Sequence, residues 1–197
     1  MSHLLEIDGY LLAGGRSSRM GMDKGLLKVN DRYLVEYVID HLKHCVRNVI
    51  ICSNNPEYKQ FGLEVVPDIL PNEGPAGGIY TALSHASTSK IFVISCDTPF
   101  IDEKLINEII SKAHTADITV PVVNGWMEPL AGVYSVSCLP VWRDLVDKGI
   151  FKLQTLIEQF NYRLLDFKSD LETDDISFMN INTLEDLDIA KKVGRWL

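Results

Sequence analysis

The 197-residue sequence is informative first for what it lacks. The Walker A pattern Gly-x-x-x-x-Gly-Lys-Ser/Thr is absent, and no window between Gly14 and Gly25 supplies it. The dinucleotide fingerprint Gly-x-Gly-x-x-Gly is absent too, so a P-loop ATPase and an ordinary dehydrogenase both lose ground. The cysteines at 45, 52, 96 and 138 form no Cys-x-x-Cys pair, and they do not combine with the five histidines into zinc-ligand spacing. They read as small buried hydrophobes, and thiols scattered in this way suit a reducing compartment. No signal-peptide pattern and no long apolar span is present, so a cytoplasmic protein is expected, with no membrane contact. Positive charge is not in surplus. The net charge of −8 argues against nonspecific binding to nucleic acid or an anionic membrane. No Ser/His/Asp or Cys/His constellation suggests a covalent nucleophile. Repeats, low-complexity runs and linkers are also missing. The 46% hydrophobic content is enough for one sizeable core, so residues 1–197 read as a single domain.

Against this acidic background one stretch is cationic. LAGGRSSRMGMDK, residues 12–24, directly follows the apolar run Ile7–Leu12. Gly14 and Gly15 carry no Cβ and let backbone approach a ligand closely. Arg16, Arg19 and Lys24 bring positive charge into the same loop, and Ser17 and Ser18 add hydroxyls. A strand opening into such a loop suits polyphosphate, because amide N–H groups and cations converge on anionic oxygens. A solvated surface turn is the plainer explanation, and a lone glycine motif would not displace it.

The rest of the chain alternates short apolar runs with amphipathic segments. Ile7–Leu12, Asn48–Cys52, Leu63–Val66 and Ile91–Ser95 read as strands, the last almost wholly apolar as at the centre of a parallel sheet. Tyr33–Cys45 carries a helical stripe at 34, 35, 38, 39 and 42. Pro56 suits a short helix start, Ala76–Ala86 looks helical behind the breaker Gly74-Pro75, and Asp102 can cap a helix through Ala113. Ile118–Val123 and Leu130–Ser135 read as strands joined through the Asn124-Gly125-Trp126 turn signal. Ser137 can cap a helix to Lys148, followed by a helix over Lys152–Phe160 and a strand over Tyr162–Phe167. Asn182-Thr-Leu-Glu185 resembles a capping box opening a last helix that ends near Val193. This alternation predicts an α/β fold of three αβα layers, with helices on both faces of a doubly wound, mostly parallel sheet. Ligands of such sheets bind beyond the carboxyl ends of the strands.

Further signals gather at that edge. In SCDTPF, residues 95–100, Asp97 follows the fourth strand. A Mg²⁺ ion bridging phosphates usually takes one or two carboxylates, and Asp97 is the candidate ligand, with capping of the Thr98-Pro99 turn as the plainer role. In NEGPAGG, residues 72–78, Gly77 and Gly78 let backbone crowd a flat ligand or a phosphate, and Asp68 sits just after the third strand. In FMNINTLED, residues 178–186, Asn182 can be an N-cap and nothing more, whereas Asn180 has no such explanation.

Taken together, LAGGRSSRMGMDK, GPAGGI at 74–79, CDTPFI at 96–101 and NINTLEDL at 180–187 resemble the molybdenum cofactor guanylyltransferase family, whose members have a Rossmann-like nucleotidyltransferase fold. The resemblance spans residues 7–190. It implies that Leu12, Ala13 and Gly14 contact nucleotide through backbone and that Lys24 binds phosphate. It implies Asp68 on the guanosine side, Asp97 as Mg²⁺ ligand, and Asn180 and Asn182 near a pterin substrate. An asparagine used by some members after the second strand falls among Cys52, Ser53 and Asn54. The chain departs from the family's Gly-Pro-Leu-Ala-Gly with Gly74-Pro75-Ala76-Gly77-Gly78. Gly14 favours the guanylyl branch over cytidylyl-transferring relatives with Leu-Ala-Ala-Gly.

The implied reaction joins GMP from GTP to Mo-molybdopterin, or its metal-free form, and releases pyrophosphate. The terminal phosphate of molybdopterin is the nucleophile, so no general base is needed. Arg19 and Lys24, with Mg²⁺ on Asp97, would offset repulsion between the anionic reactants. Cofactor-delivery or acceptor proteins are expected partners. A nucleotidyltransferase using a sugar phosphate or transferring a cytidylyl group would keep the loop and Asp97. A nucleotide-binding regulator would keep the glycines but has less need of Asp97.

Overall fold

The computed structural model describes residues 6–14, 23–167 and 176–193. Its centre is one eight-stranded sheet. The strands in chain order are β1 (Asp8–Leu12), β4 (Val49–Cys52), β5 (Glu64–Val66), β6 (Lys90–Ser95), β7 (Ile118–Val123), β8 (Trp126–Met127), β9 (Ala131–Ser135) and β10 (Tyr162–Phe167); β2 (Lys28–Val29) and β3 (Arg32–Tyr33) form a separate ribbon. The spatial order is β10-β7-β9-β6-β1-β4-β5, with β8 paired to β7. β6, β1, β4 and β5 are parallel neighbours, and β10 runs parallel to β7. β9 is antiparallel to both β6 and β7 and reverses the sheet between them. β7 therefore runs in the same direction as β6, and both finish at the same edge.

Alternation along the strands sends side chains into two cores. On one face Leu11, Ile51, Phe92 and Ile94 meet Val35, Val38 and Leu42 of α1 (Leu34–Lys43) and Ile106, Ile109 and Ile110 of α3 (Glu103–Ser111). On the other, Tyr10, Ile50, Val93 and Tyr134 meet α2 (Gly74–His85), α4 (Leu139–Asp147) and α5 (Leu153–Ile157). The three αβα layers follow from that division. Because β6 is apolar on both faces and β1 nearly so, they occupy the middle of the sheet.

Several boundaries differ from the sequence reading. Gly74-Pro75 does not precede α2 but forms its first turn, where proline's missing N–H has no intrahelical partner to lose. The Asn124-Gly125 turn leads into β8, and β9 follows it; Asn124 and Gly125 have φ of 51° and 80°, as a two-residue hairpin turn demands. Ser137 does not cap α4. It lies in a 3₁₀ turn, Val136–Cys138, with its Oγ 2.8 Å from Ser135 Oγ, and Pro140 sits in the first turn of α4. α5 stops at Ile157, short of Phe160. Asp102 does cap α3, accepting from the Leu105 amide at 2.8 Å.

The last helix, α6 (Leu184–Val193), carries the correction that bears most on function. Its cap is Thr183 and not Asn182. Thr183 Oγ1 accepts from the Asp186 amide at 3.0 Å, and Asp186 Oδ2 accepts from the amides of Thr183 at 2.8 Å and Asn182 at 2.9 Å. The Asn182 side chain is thereby left for another partner. Ile181 and Leu187 pack with Leu27, Val29, Leu34 and Phe100 in a third small core, which docks α6 against the β2–β3 ribbon and α1.

Candidate active site

The carboxyl ends of β1, β4, β5 and β6 open onto a cavity of about 660 Å³. Leu12–Gly14 and Asp23-Lys24 form one wall, Cys52 and Asn54 with Asp68 and Asn72 another, Gly74, Pro75 and Gly78 of α2 a third, and Ser95–Asp97 with Leu130 the last. The N-terminal turn of α2 points amide dipoles at this space, favouring an anion.

Gly14 has φ of 107°, a conformation that favours glycine. Chain continuity across the cavity floor comes from backbone bonds: Ala13 N–H donates to Cys52 O at 2.9 Å, and Cys96 N–H to Leu12 O at 3.1 Å. Gly15 and Arg19, with Arg16, lie outside the described residues.

Asp23 anchors the far end of the loop. Its Oδ1 accepts from Tyr58 OH at 2.5 Å and the Gly25 amide at 3.2 Å, and its Oδ2 from Asn55 Nδ2 at 3.1 Å. Gly25 is buried against Tyr58 and Cys96, with no room for a Cβ. Lys24, held between these two, extends its ammonium to Asp97 Oδ2 at 3.4 Å and to Asn182 Oδ1. Asp97 Oδ1 accepts from Ser95 Oγ at 2.5 Å, while its own carbonyl accepts from the Ile181 amide at 2.8 Å. The Thr98-Pro99 turn is closed by Thr98 Oγ1 donating to Ser95 O at 2.9 Å, so the Asp97 carboxylate is not spent on that turn.

Thus Lys24, Asp97 and Asn182, far apart in sequence, meet in one cluster. Asp68 lies across the cavity. Burial pushes its carboxyl above the ordinary aspartate value, and Asn54 clasps it through a side-chain bond of 3.3 Å and acceptance of its amide at 3.0 Å. The position left open among Cys52, Ser53 and Asn54 is filled on the cavity by Cys52 and Asn54. Gly77 is not among the lining residues. A Cβ there would come within 2.7 Å of Leu70 O, whereas Gly78, which does line the cavity, faces Leu12 at 3.1 Å. Asn180 is half-buried beside Ile181 and is not among the lining residues either.

The buried Cys96 thiol is pushed up to about 12 by desolvation, and burial raises Cys52 as well, so neither supplies a thiolate nucleophile near neutral pH. Among the described residues no group of three His, Cys, Asp or Glu side chains converges as a metal cage. Asp97 offers a carboxylate at the mouth whose Oδ2 has only the long 3.4 Å contact with Lys24, whereas both Asp23 oxygens are held within the protein at 2.5–3.2 Å. That donor set fits Mg²⁺, which keeps waters and takes the remaining ligands from substrate phosphates.

Asp23, Asn54, Ser95 and Leu130 were not assigned from sequence. Asp23 had a signal, an Asp directly before Lys-Gly that can cap a turn. Ser95 acts locally, two residues before Asp97, whereas Leu130 reaches the cavity only through its carbonyl bond to the Ser95 amide beside the β6–β9 pairing.

The carboxyl edge of the sheet thus gathers a glycine turn, a lysine, the carboxylates of Asp23, Asp68 and Asp97 and a helix N-terminus around one cavity. Residues 9–163 match the MobA-like NTP transferase domain family. Relatives that match most of the chain bear the name "probable molybdenum cofactor guanylyltransferase". That of Clostridium perfringens is 35% identical over 96% of this chain and 98% of its own, and that of Flavobacterium johnsoniae is 33% identical over 90% and 93%. The crystal structure of molybdopterin-guanine dinucleotide biosynthesis protein A from Archaeoglobus fulgidus superposes with a TM-score of 0.78 at 23% identity, covering 95% of this chain and 98% of that one, and shows the same fold. The chain belongs to the MobA-like NTP transferase domain family. No helix among the described residues is long and apolar enough to cross a membrane.

Proposed function

We propose that this protein transfers GMP from GTP to the terminal phosphate of Mo-molybdopterin, in the cytoplasm and with Mg²⁺, releasing pyrophosphate and molybdopterin guanine dinucleotide. The observation that carries this reading is the junction of Lys24, Asp97 and Asn182, which joins the phosphate loop, the Asp97 carboxylate and the C-terminal segment at one mouth. The guanylyltransferase names of the relatives supply the donor and acceptor. Residues 1–197 are taken to act as one domain, which the packing of Ile181 and Leu187 onto Leu34 and Phe100 supports.

GTP occupies the cavity with its base toward Asp68 and Asn54 and its phosphates toward Gly14 and Lys24. A terminal phosphate oxygen of the acceptor attacks the α-phosphorus, and the bond from that phosphorus to the bridging oxygen of the β-phosphate breaks. The acceptor phosphate is already largely dianionic at neutral pH, with a second pKa of about 6. Catalysis then consists of positioning and charge stabilisation. Lys24 moves from Asp97 onto the donor phosphates, and Asn182 keeps its ammonium at the mouth. Mg²⁺ held by Asp97 would stabilise charge on the departing pyrophosphate.

The test offers purified protein GTP, CTP, ATP or UTP with Mg²⁺ and molybdopterin and measures pyrophosphate. Release with GTP alone is expected. Release with a sugar phosphate as acceptor, and none with molybdopterin, overturns the reading.

A further inference from the structure

The donor cavity uses only one side of the sheet edge. Base-side residues follow β4 and β5, and Asp97 follows β6. Beyond Asp97 come β9 and β7, and β7 ends at this same edge. From its end projects the β7–β8 hairpin, braced by the Asn124-Gly125 turn and the pairs Val123↔Trp126 and Val122↔Met127. At its tip Trp126 is 76% exposed, more than any other large hydrophobic among the described residues.

Register fixes the face this indole shares. Val123 is opposite Trp126 on one side and Phe167 on the other, and Phe167 packs on Phe178 of the C-terminal segment at 5.8 Å between ring centroids. Two residues on, the Glu128 amide donates to Pro121 O at 2.9 Å, which continues the pairing and puts Glu128 on the same face as Trp126. Glu128 is half-buried, and among the described residues no hydrogen bond or ion pair engages its carboxylate. The Glu128 carbonyl accepts from the Ala131 amide at 3.3 Å, and the Leu130 carbonyl, two residues on, accepts from the Ser95 amide at 3.0 Å, which ties this end of the hairpin to the segment that carries Asp97. A half-buried carboxylate without donors is costly, and a braced indole facing solvent offers a flat apolar surface next to it.

We propose that Trp126 and Glu128 form the ring-binding half of the acceptor site, Trp126 stacking on the pterin and Glu128 accepting its N–H edge. The inference rests on the guanylyl-transfer reading above. A carboxylate takes two parallel N–H donors well, and a pterin presents an N–H beside an exocyclic amino group. Guanine presents the same edge, but its side of the site is Asp68 and Asn54, across Asp97 from the hairpin. The sheet order thus gives each ring its own end and leaves the reacting phosphates between them.

The test is steady-state kinetics of W126A, W126F and E128Q, with each substrate varied in turn. W126A and E128Q should raise the KM for molybdopterin roughly tenfold, the scale of a lost ring stack or charged hydrogen bond, and leave the KM for GTP within about twofold. W126F should restore most of the loss; W126A and W126F should melt as the wild type does, and E128Q no lower. Titration of a phosphorylated pterin without GTP should quench tryptophan fluorescence in wild type but not in W126F. An unchanged KM for molybdopterin in both W126A and E128Q overturns the proposal, and so does a rise in the KM for GTP instead. If the wild type uses another acceptor, the functional reading fails, and the pterin titration decides the hairpin separately: quenching supports it and its absence overturns it.

Discussion

Thr183 and Asn182 are adjacent, yet their side chains answer to different forces, and substitution should separate them. Thr183→Ala removes the Oγ1 that accepts from the Asp186 amide at 3.0 Å. Loss of an N-cap costs about 1 kcal/mol, which for a chain of this size lowers Tm by roughly 2–4 °C. Asn182→Ala leaves that cap intact, because Asp186 Oδ2 binds the backbone amide of 182 and not its side chain. It removes the acceptor facing the Lys24 ammonium. A hydrogen bond to a charged group contributes about 1.5–3 kcal/mol, and the exposure of Asn182 argues for the lower figure, or roughly a tenfold fall in kcat/KM. Thermal melts and pyrophosphate-release kinetics on the two variants complete the test. A Tm loss in Asn182→Ala equal to that of Thr183→Ala, with kcat/KM unchanged, would refute the assignment of Asn182 to the site and restore it as a cap.

Lys24→Ala should lower turnover by about 3 kcal/mol of barrier, more than 100-fold, while the protein stays folded; normal product formation would remove the loop from the mechanism. Asp97→Asn should abolish the saturable Mg²⁺ dependence of pyrophosphate release, and an unchanged metal titration counts against the ligand role. At the opposite edge of the sheet, burial pushes the Asp8 carboxyl up, but hydrogen bonds from Arg47, Asn48 and Ser87 and the Arg47 charge outweigh it and hold Asp8 below the usual 3.8. A depressed carboxylate contributes stability that is fully present above the ordinary value and lost as pH falls through the folded one. The Tm gap between wild type and Asp8→Asn should therefore hold from pH 7 to about 5 and close below pH 4; a gap that widens in acid would reverse the sign.

The sheet was legible because its signals are local. Ile91–Ile94 are apolar on both faces, and the stripe of α1 at 34, 35, 38, 39 and 42 repeats at helical spacing. The caps were less legible. Asn182 and Thr183 both suit an N-cap, and only the placement of Asp186 on the two amides decides between them. The β2–β3 ribbon is not legible in the sequence although Asn30 and Asp31, with φ of 52° and 64°, are ordinary hairpin-turn residues, because two-residue strands have no periodicity to read. At the site, residues next to strand ends were placed by the strands themselves: Leu12, Gly14, Asp68 and Asp97 all reach the cavity. Asp23 and Asn54 required knowledge of what Tyr58, Asn55 and Asp68 face in three dimensions.

Gly77 shows why a glycine beside a binding loop is an ambiguous sign. Glycine there can serve a ligand or serve another segment of the same chain, and the sequence cannot separate the two. With α2 starting at Gly74, helical geometry turns position 77 toward Leu70 O, where a Cβ would sit at 2.7 Å, and leaves position 78 over Leu12. The Gly77-Gly78 pair therefore lets α2 settle onto the 70-carbonyl and onto β1 together. That settling brings the positive end of α2 over the cavity, so the departure from Gly-Pro-Leu-Ala-Gly bears on the cavity through the position of a helix, with Gly77 itself not among the lining residues.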